Sequence, residues 1–382
     1  MSEAIRKGAV LIVTHVYATG PAQELETYLI GKVWKLEFIG HPFLYSKDTR
    51  SFYNCYTLGN KVTTKKAVSW KFPEPLQYVK DMIYTLIWAY QSKTKFDLYV
   101  GADPLNAVTG LVLKKMRKVN KVIFYTVDYV PNRFKNPFLN WFYHSVDTYC
   151  TKNCDQVWNL SQRMTDARKL KGILSTKNQI VVPIGVHFNR IPRLPVEQIQ
   201  RKKLVYMGHL RKGQGIELII ESMPELLQKI PDIKLIIIGT GPFEQILKER
   251  ILQLNISSNV ESIGYIEDHQ ELEKIMTHCT IGLALYEPDP DNFTIYTDPS
   301  KPKQYMACGL PIITTHVPWI SEDVKKKRLG QVIDYNKQDL IRSIFDMIEN
   351  DKNYFEYREN AINYASHLEW EKIFSSAIQQ SD

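Results

Sequence analysis

The 382-residue sequence predicts an α/β fold of two domains, and three observations carry that expectation. A chain of this length divides into about two domains at roughly 150 residues each. Short apolar runs alternate with amphipathic stretches along the chain, which is the pattern of parallel sheets covered by helices. The stretch Val182-Pro183-Ile184-Gly185-Val186-His187 through Pro195 holds three prolines and leads into a fresh apolar run, so it marks a domain boundary. Hydrophobic residues make up 44% of the chain and charged residues 24%, enough for two buried cores.

In the first half, residues 10–13, 36–39, 98–100, 122–125 and 156–158 read as strands. Helical patterns lie between them, around residues 23–30, 79–90, 108–118 and 137–152. The second half repeats the alternation more clearly. Residues 204–207 form a strand ending at Gly208. Residues 216–229 follow as a helix, with apolar side chains at 216, 219, 220, 223, 226 and 227. Residues 235–238 form a strand ending at Gly239-Thr240-Gly241-Pro242, and residues 243–252 a helix. Further strands are expected at 260–263, 281–285 and 312–314, and helices at 269–277 and 301–308. The expected domains are residues 1–188, completed by a final helix within 366–382, and residues 196–365.

Composition narrows the setting. The N-terminal apolar run at residues 9–13 is too short for a signal segment, and no window approaches the roughly 20 apolar residues that span a bilayer. The five cysteines, Cys55, Cys150, Cys154, Cys279 and Cys308, show no zinc-ligand spacing and read as reduced thiols of a cytoplasmic protein. The net charge of +8 is unevenly spread. Residues 1–190 hold 27 Lys/Arg and 13 Asp/Glu, giving +14; residues 191–382 hold 22 and 28, giving −6. A basic half points to a polyanionic surface beside the first domain, either nucleic acid or anionic membrane, unless the charges only solvate exposed helices.

Gly208 and Gly239 each close a strand and open toward a helix, the place where open α/β sheets bind ligands and a helix N-terminus suits a phosphate. Such turns also occur for structural reasons alone. The decisive stretch is Thr297-Asp298-Pro299-Ser300-Lys301-Pro302-Lys303-Gln304-Tyr305-Met306-Ala307-Cys308-Gly309-Leu310-Pro311-Ile312-Ile313. It resembles the donor-binding signature of GT-B glycosyltransferases, close to family 4 (group 1). Tyr206-Met207-Gly208-His209-Leu210, Ile238-Gly239-Thr240-Gly241-Pro242 and Gly264-Tyr265-Ile266 resemble the other donor-side segments of that family. The resemblance spans nearly all of residues 200–320.

The resemblance implies a GT-B architecture, two Rossmann-like domains facing across a cleft, with a nucleotide-sugar donor on the second domain. It implies donor-binding roles for Gly208, His209, Gly239, Gly241, Tyr265, Asp298, Lys301 and Gln304. Lys301, in the first turn of its helix, is placed to reach the diphosphate as a point charge. Gln304 shares its helix face at i,i+3 spacing and suits ribose hydroxyls. Three departures stand out. Gln304 replaces the family's Glu, Thr297 replaces a second Glu, and His209 and Gln214 stand where the family has Arg and Lys. Arg211 and Lys212 lie close enough to substitute. The departures resemble the glucuronosyltransferases of bacterial exopolysaccharide synthesis, which also carry a Lys-x-x-Gln-Tyr pattern.

On the acceptor side, the strand ending Tyr125-Thr126-Val127-Asp128-Tyr129 offers Asp128 as the catalytic base, with Tyr125 and Tyr129 shaping an acceptor site. Asp128 is otherwise a turn or cap residue. His15-Val16-Tyr17-Ala18-Thr19-Gly20 resembles the family's acceptor loop, giving His15, Tyr17 and Gly20 as acceptor-binding candidates; His15 reads equally as a capped core histidine. Asp103 follows another strand and joins them. Asp289-Pro290-Asp291 imitates a metal-binding motif, but its flanking prolines and the metal-independent fold it sits in favour a loop, so no metal and no cofactor are expected.

The function expected is transfer of a sugar from a nucleotide-diphosphate donor, UDP slightly favoured, to a glycan or lipid-linked, membrane-proximal acceptor. The basic cluster Lys114, Lys115, Arg117 and Lys118, with Trp88 and Tyr90 upstream, would lie against anionic lipid at the cytoplasmic face. The alternatives are a nucleotide-sugar epimerase of the same fold and a basic, non-catalytic nucleic-acid-binding protein. No nucleic-acid motif supports the last.

Overall fold

The computed structural model describes residues 7–16, 19–68, 72–173, 178–199, 201–289 and 292–381. The chain divides into two compact units, Met1–Pro183 with Trp370–Asp382, and Ile184–Glu369.

The first unit holds β1 (Ala9–Val16), β2 (Lys35–Pro42), β3 (Phe52–Thr57), β4 (Asn60–Lys66), β5 (Phe96–Ala102), β6 (Val119–Thr126), β7 (Gln156–Asn159) and β8 (Gln179–Val181). They form one sheet in the order β4-β3-β2-β1-β5-β6-β7-β8. Pairings are parallel except at β2–β3 and β3–β4, which are antiparallel. This hairpin goes beyond the expected alternation. Its turn is Leu58-Gly59, both at positive φ (47° and 84°), which matches the twist of a two-residue hairpin. β4 is exposed along its whole length and carries Lys61, Lys65 and Lys66, charges that protect a sheet edge from mispairing.

Between these strands the described helices are α1 (Pro21–Leu29), α2 (Glu74–Gln91), α3 (Pro104–Lys115), α4 (Pro137–Asn153) and α5 (Gln162–Leu170). Trp88 and Ala89 of α2, Ala107 and Leu113 of α3 and Cys150 of α4 share one core with Ala9, Leu11 and Val13 of β1. These three helices therefore cover the same face of the sheet. α3 starts at Pro104, four residues before the expected 108, because Asp103 caps it and proline fits its first turn.

The second unit holds β9 (Lys203–Met207), β10 (Lys234–Ile238), β11 (Val260–Gly264), β12 (Ile281–Ala284), β13 (Ile312–Thr315) and β14 (Gly330–Ile333). All pairings are parallel, in the order β11-β10-β9-β12-β13-β14. Strand order reverses between β9 and β12, and ligands of open α/β sheets bind outside the carboxyl ends at such a reversal. Helices α6 (Ile216–Lys229), α7 (Glu244–Gln253), α8 (His269–Thr277), α9 (Ser300–Ala307), α10 (Ser321–Lys326), α11 (Lys337–Glu349) and α12 (Asp351–Ser366) cover the sheet. The last helix, α13 (Trp370–Gln379), belongs to the first unit. It packs on α1 through Tyr28 and Phe374, ring centroids 5.6 Å apart, and through a Lys32–Glu371 contact of 2.7 Å.

Candidate functional site

Each unit carries its own cluster of candidate residues. In the second unit the cluster is built on α9, and the helix is anchored by two residues whose side chains face the protein. The Tyr305 hydroxyl accepts from the Met207 amide of β9 at 2.6 Å and donates to the Leu283 carbonyl of β12 at 3.4 Å. Lys303 is buried and paired with Asp298, and it also donates to the Ile184 carbonyl at 2.8 Å. Asp298 Oδ2 accepts in turn from the Ile184 amide at 2.7 Å. Burial pushes the Asp298 carboxyl up and the Lys303 ammonium down, and their pairing offsets part of that cost. Asp298, expected to touch a donor, thus commits one carboxylate oxygen to tying α9 to the start of this unit.

With α9 pinned, Lys301 stands at the carboxyl ends of β9 and β12. Its Nζ is 3.5 Å from the Tyr206 hydroxyl and 3.3 Å from Gln214 Oε1. It also lies 4.9 Å from the Tyr206 ring centroid and 5.6 Å from that of Tyr286. No carboxylate pairs with it among the described residues. Burial, with the nearby Arg211 cation, pushes Lys301 down to about 7. Arg211 is partly buried, its guanidinium 4.9 Å from the Phe293 ring centroid, while Lys212 and His209 are exposed. Two neighbouring cations without a carboxylate partner among the described residues make a site that wants an anion. Gln304, one turn along α9, holds a buried Oε1 with no hydrogen-bond partner among the described residues, an acceptor open to a ligand hydroxyl.

The expected glycines shape this site from beneath. A Cβ on Gly208, at φ +144°, would come within 2.6 Å of Lys301 Nζ, so the glycine leaves the room the lysine occupies. A Cβ on Gly239 would strike the Gly208 carbonyl oxygen at 2.0 Å, and one on Gly241 the Leu210 carbonyl at 2.3 Å. These two glycines let the two loops pack on each other, a reason distinct from the close ligand approach expected of them. Tyr265 follows β11 and is 73% exposed.

In the first unit, His15 and His41 stand one residue before the ends of β1 and β2, paired in register across the sheet. Asp103 follows β5 and takes φ +85°, an unusual conformation for a residue with a Cβ. Its Oδ1 accepts from the Asn106 amide at 2.9 Å, and its Oδ2 lies 2.5 Å from His15 Nδ1. Asp81, from α2, brings Oδ2 to 3.8 Å from His15 Nε2. Phe43 stacks on the imidazole and Tyr78 meets it edge-on, with centroids 5.5 and 5.3 Å away. Burial works against the charge, yet Asp103 and Asp81 outweigh it, and His15 is pushed up to about 9. His41 is buried as well, bonded to the hydroxyls of Ser51 at 2.9 Å and Thr85 at 2.8 Å, and burial lowers its basicity. Asp81 and His41 escaped the sequence reading. The signal for Asp81 was the polar series Gln77, Lys80, Asp81 and Thr85, at helical spacing inside an otherwise apolar segment.

Asp128 lies two residues past β6. Its Oδ2 accepts from Arg133 Nη1 at 2.9 Å, and its Oδ1 is buried with no hydrogen-bond partner among the described residues. Tyr125 and Tyr129 are buried at 0% and 1% exposure, so they do not line an open acceptor site as expected. Tyr125 ends in a bond to the Val182 carbonyl, and Tyr129 packs beside His144. Gly20 precedes α1, and its amide donates to Gln23 Oε1 at 3.0 Å. Tyr17 and Asp291 lie outside the described residues. Trp88, expected on the lipid-facing surface, is buried against Tyr84 and Tyr53. Lys114 pairs with Asp155 at 2.5 Å.

The chain is similar to an uncharacterised glycosyltransferase of Methanocaldococcus jannaschii, 26% identical over 165 residues, 43% of this chain and 40% of that protein. It is 25% identical over 156 residues to the chitobiosyldiphosphodolichol beta-mannosyltransferase of Debaryomyces hansenii, covering 39% of this chain and 32% of that protein. These matches thus span less than half the length of either relative. Among solved structures, Anabaena HepE in complex with UDP superposes with a TM-score of 0.68 at 15% identity, over 97% of this chain and all of that one, a likeness of fold. The family model described as glycosyl transferases group 1 matches residues 195–367. The chain thus carries a glycosyl transferases group 1 region, nearly the whole of its second unit, within a two-sheet GT-B fold.

Proposed function

We propose that the protein is a glycosyltransferase that moves a sugar from a nucleoside-diphosphate donor, UDP favoured, to a glycan or lipid-linked acceptor at the inner face of a membrane. The observation that carries this reading is Lys301, a partly buried cation at the strand reversal with Arg211 nearby and no carboxylate partner among the described residues. A diphosphate supplies the missing charge. Gln304 would take the ribose, with Gly208 shaping the floor of the site. His209, Lys212 and Tyr265 border it. UDP is the nucleotide in the Anabaena structure, and the Debaryomyces relative's name records a diphosphodolichol-linked sugar.

In the proposed reaction the acceptor oxygen bonds to the anomeric carbon as the bond from that carbon to the diphosphate oxygen breaks. The nucleoside diphosphate leaves with the electron pair, and the acceptor proton passes to the Asp128 carboxylate. His15 serves as a charged anchor for the acceptor, positioned by Asp103 and Asp81, since its proton is already held. No step uses a metal ion.

Calorimetry with UDP tests the donor half. Lys301→Ala should weaken binding by about 1.5–3 kcal/mol, the scale of a hydrogen bond to a charged group. The wild type should take up a proton on binding above pH 7, because an anion raises the affinity of Lys301 for its proton. Its UDP affinity should therefore fall as pH rises through about 7. Equal affinity in both proteins with no proton uptake would remove Lys301 from the site. Conversion of a UDP-sugar without any acceptor would favour the epimerase reading.

A further inference from the structure

Helix α2 turns an unusually polar face inward along its first turns, before Trp88 and Ala89 join the core. Its inward residues include Gln77, Lys80, Asp81 and Thr85, all buried. Its outward residues are Leu76 at 53% exposure, Val79 at 52%, Ile83 at 50%, Ile87 at 43% and Tyr90 at 66%. They recur every three or four residues and so form one stripe along the helix. The polar inner face has a clear reason, since Asp81 meets His15 and Thr85 meets His41. The apolar outer face has none among the described residues.

The stripe has company. α4 covers the same sheet face and exposes Phe138, Trp141 and Phe142 near its start. In a parallel sheet the strands run to one edge and the helices run back, so both helices begin at the carboxyl edge, the edge that holds His15 and Asp103. At the other end of α2 stands a cationic cluster. Lys93, Lys95, Lys115 and Arg117 are exposed, and Lys118 lies 5.7 Å from the Tyr90 ring centroid.

We infer that the outer faces of α2 and α4 insert into the interface of an anionic phospholipid bilayer, with the cationic cluster lying against its headgroups. Three features favour lipid as the occupant. The apolar residues are spread over the outer faces of separate helices rather than gathered in a groove. Aromatic side chains at 90 and 141 suit the boundary between headgroups and acyl chains. A second copy of the chain would bring like charges face to face, which opposes association. The inference rests on the reading of a membrane-proximal acceptor and deepens it. One helix, through its two faces, joins the membrane surface to the buried His15–Asp81 pair, so a lipid-anchored acceptor would meet the site without leaving the bilayer.

Co-sedimentation with vesicles of phosphatidylcholine alone, and of phosphatidylcholine with phosphatidylglycerol, tests it. The wild type should partition onto the anionic vesicles and keep part of that binding at salt high enough to screen the charges. The double variant Ile83→Ser/Ile87→Ser alters two outward-facing positions, so its melting temperature and UDP affinity should match the wild type. Its partitioning should fall by about a hundredfold. A wild type that ignores both vesicles overturns the inference, as does a variant that binds like wild type. So does a wild-type dimer in sedimentation equilibrium that the two substitutions dissolve, or an acidic protein partner bound in preference to vesicles. Vesicle binding without UDP binding would leave this inference standing while removing the donor assignment.

Discussion

At the scale of single residues, each candidate site holds one buried or partly buried cation, and the surroundings of the two differ. Lys301 lacks a counter-charge among the described residues; His15 has two. A histidine whose folded-state affinity for its proton exceeds the unfolded value stabilises the fold while it stays charged. That contribution is fully present below pH 6.5 and is lost as pH rises through about 9. It amounts to about 3 kcal/mol at most. His15→Asn should therefore cost most stability at pH 6 and little at pH 9.5, read as the gap in urea midpoint between variant and wild type. A gap independent of pH would mean that His15 is neutral. The sequence showed His15 and Asp103 as candidates, because each directly follows or ends an apolar strand. It did not show their junction with Asp81, because Asp81 comes from a helix that lies between them only in sequence. The His15–Asp103 contact itself spans 88 residues of sequence and leaves no local trace either.

At the scale of elements, α9 shows how a short motif splits its labour. Residues 301 and 304 turn toward the candidate site, and residues 303 and 305 anchor the helix. Lys303→Met would leave Asp298 buried without its cation, at a cost of about 3–5 kcal/mol. Adding Asp298→Asn should return most of that stability, measured by chemical denaturation of the two variants. A small cost for Lys303→Met alone would show that water reaches the pair. Regular elements were the most legible part of the chain. The helix expected at 269–277 is α8, because Leu272 and Met276 pack one face while Asp268 caps its start. The hairpin β3–β4 was illegible, because β4 buries nothing and so carries no alternating apolar signal. The sequence pattern marks only residues 79–90 of α2, because the buried face of its first turns is polar and gives no apolar signal.

At the scale of the molecule, the two units divide the candidate chemistry. The predicted donor residues lie in one and Asp128 in the other. Asp128→Asn should therefore lower kcat by about 10²–10⁴-fold and leave UDP affinity unchanged. The product's anomeric configuration should be inverted relative to the donor by NMR. A retained configuration, or full activity in the variant, would take the base role away from Asp128.

The placement of α13 has a further consequence for synthesis on the ribosome. The second unit is one continuous stretch, Ile184–Glu369, and can close as soon as it has emerged. The first unit, although it is made first, waits for Trp370–Gln379 to supply Phe374 beside Tyr28. A chain cut off just before residue 370 therefore keeps the whole of the continuous unit and leaves the Tyr28 face of α1 without its cover.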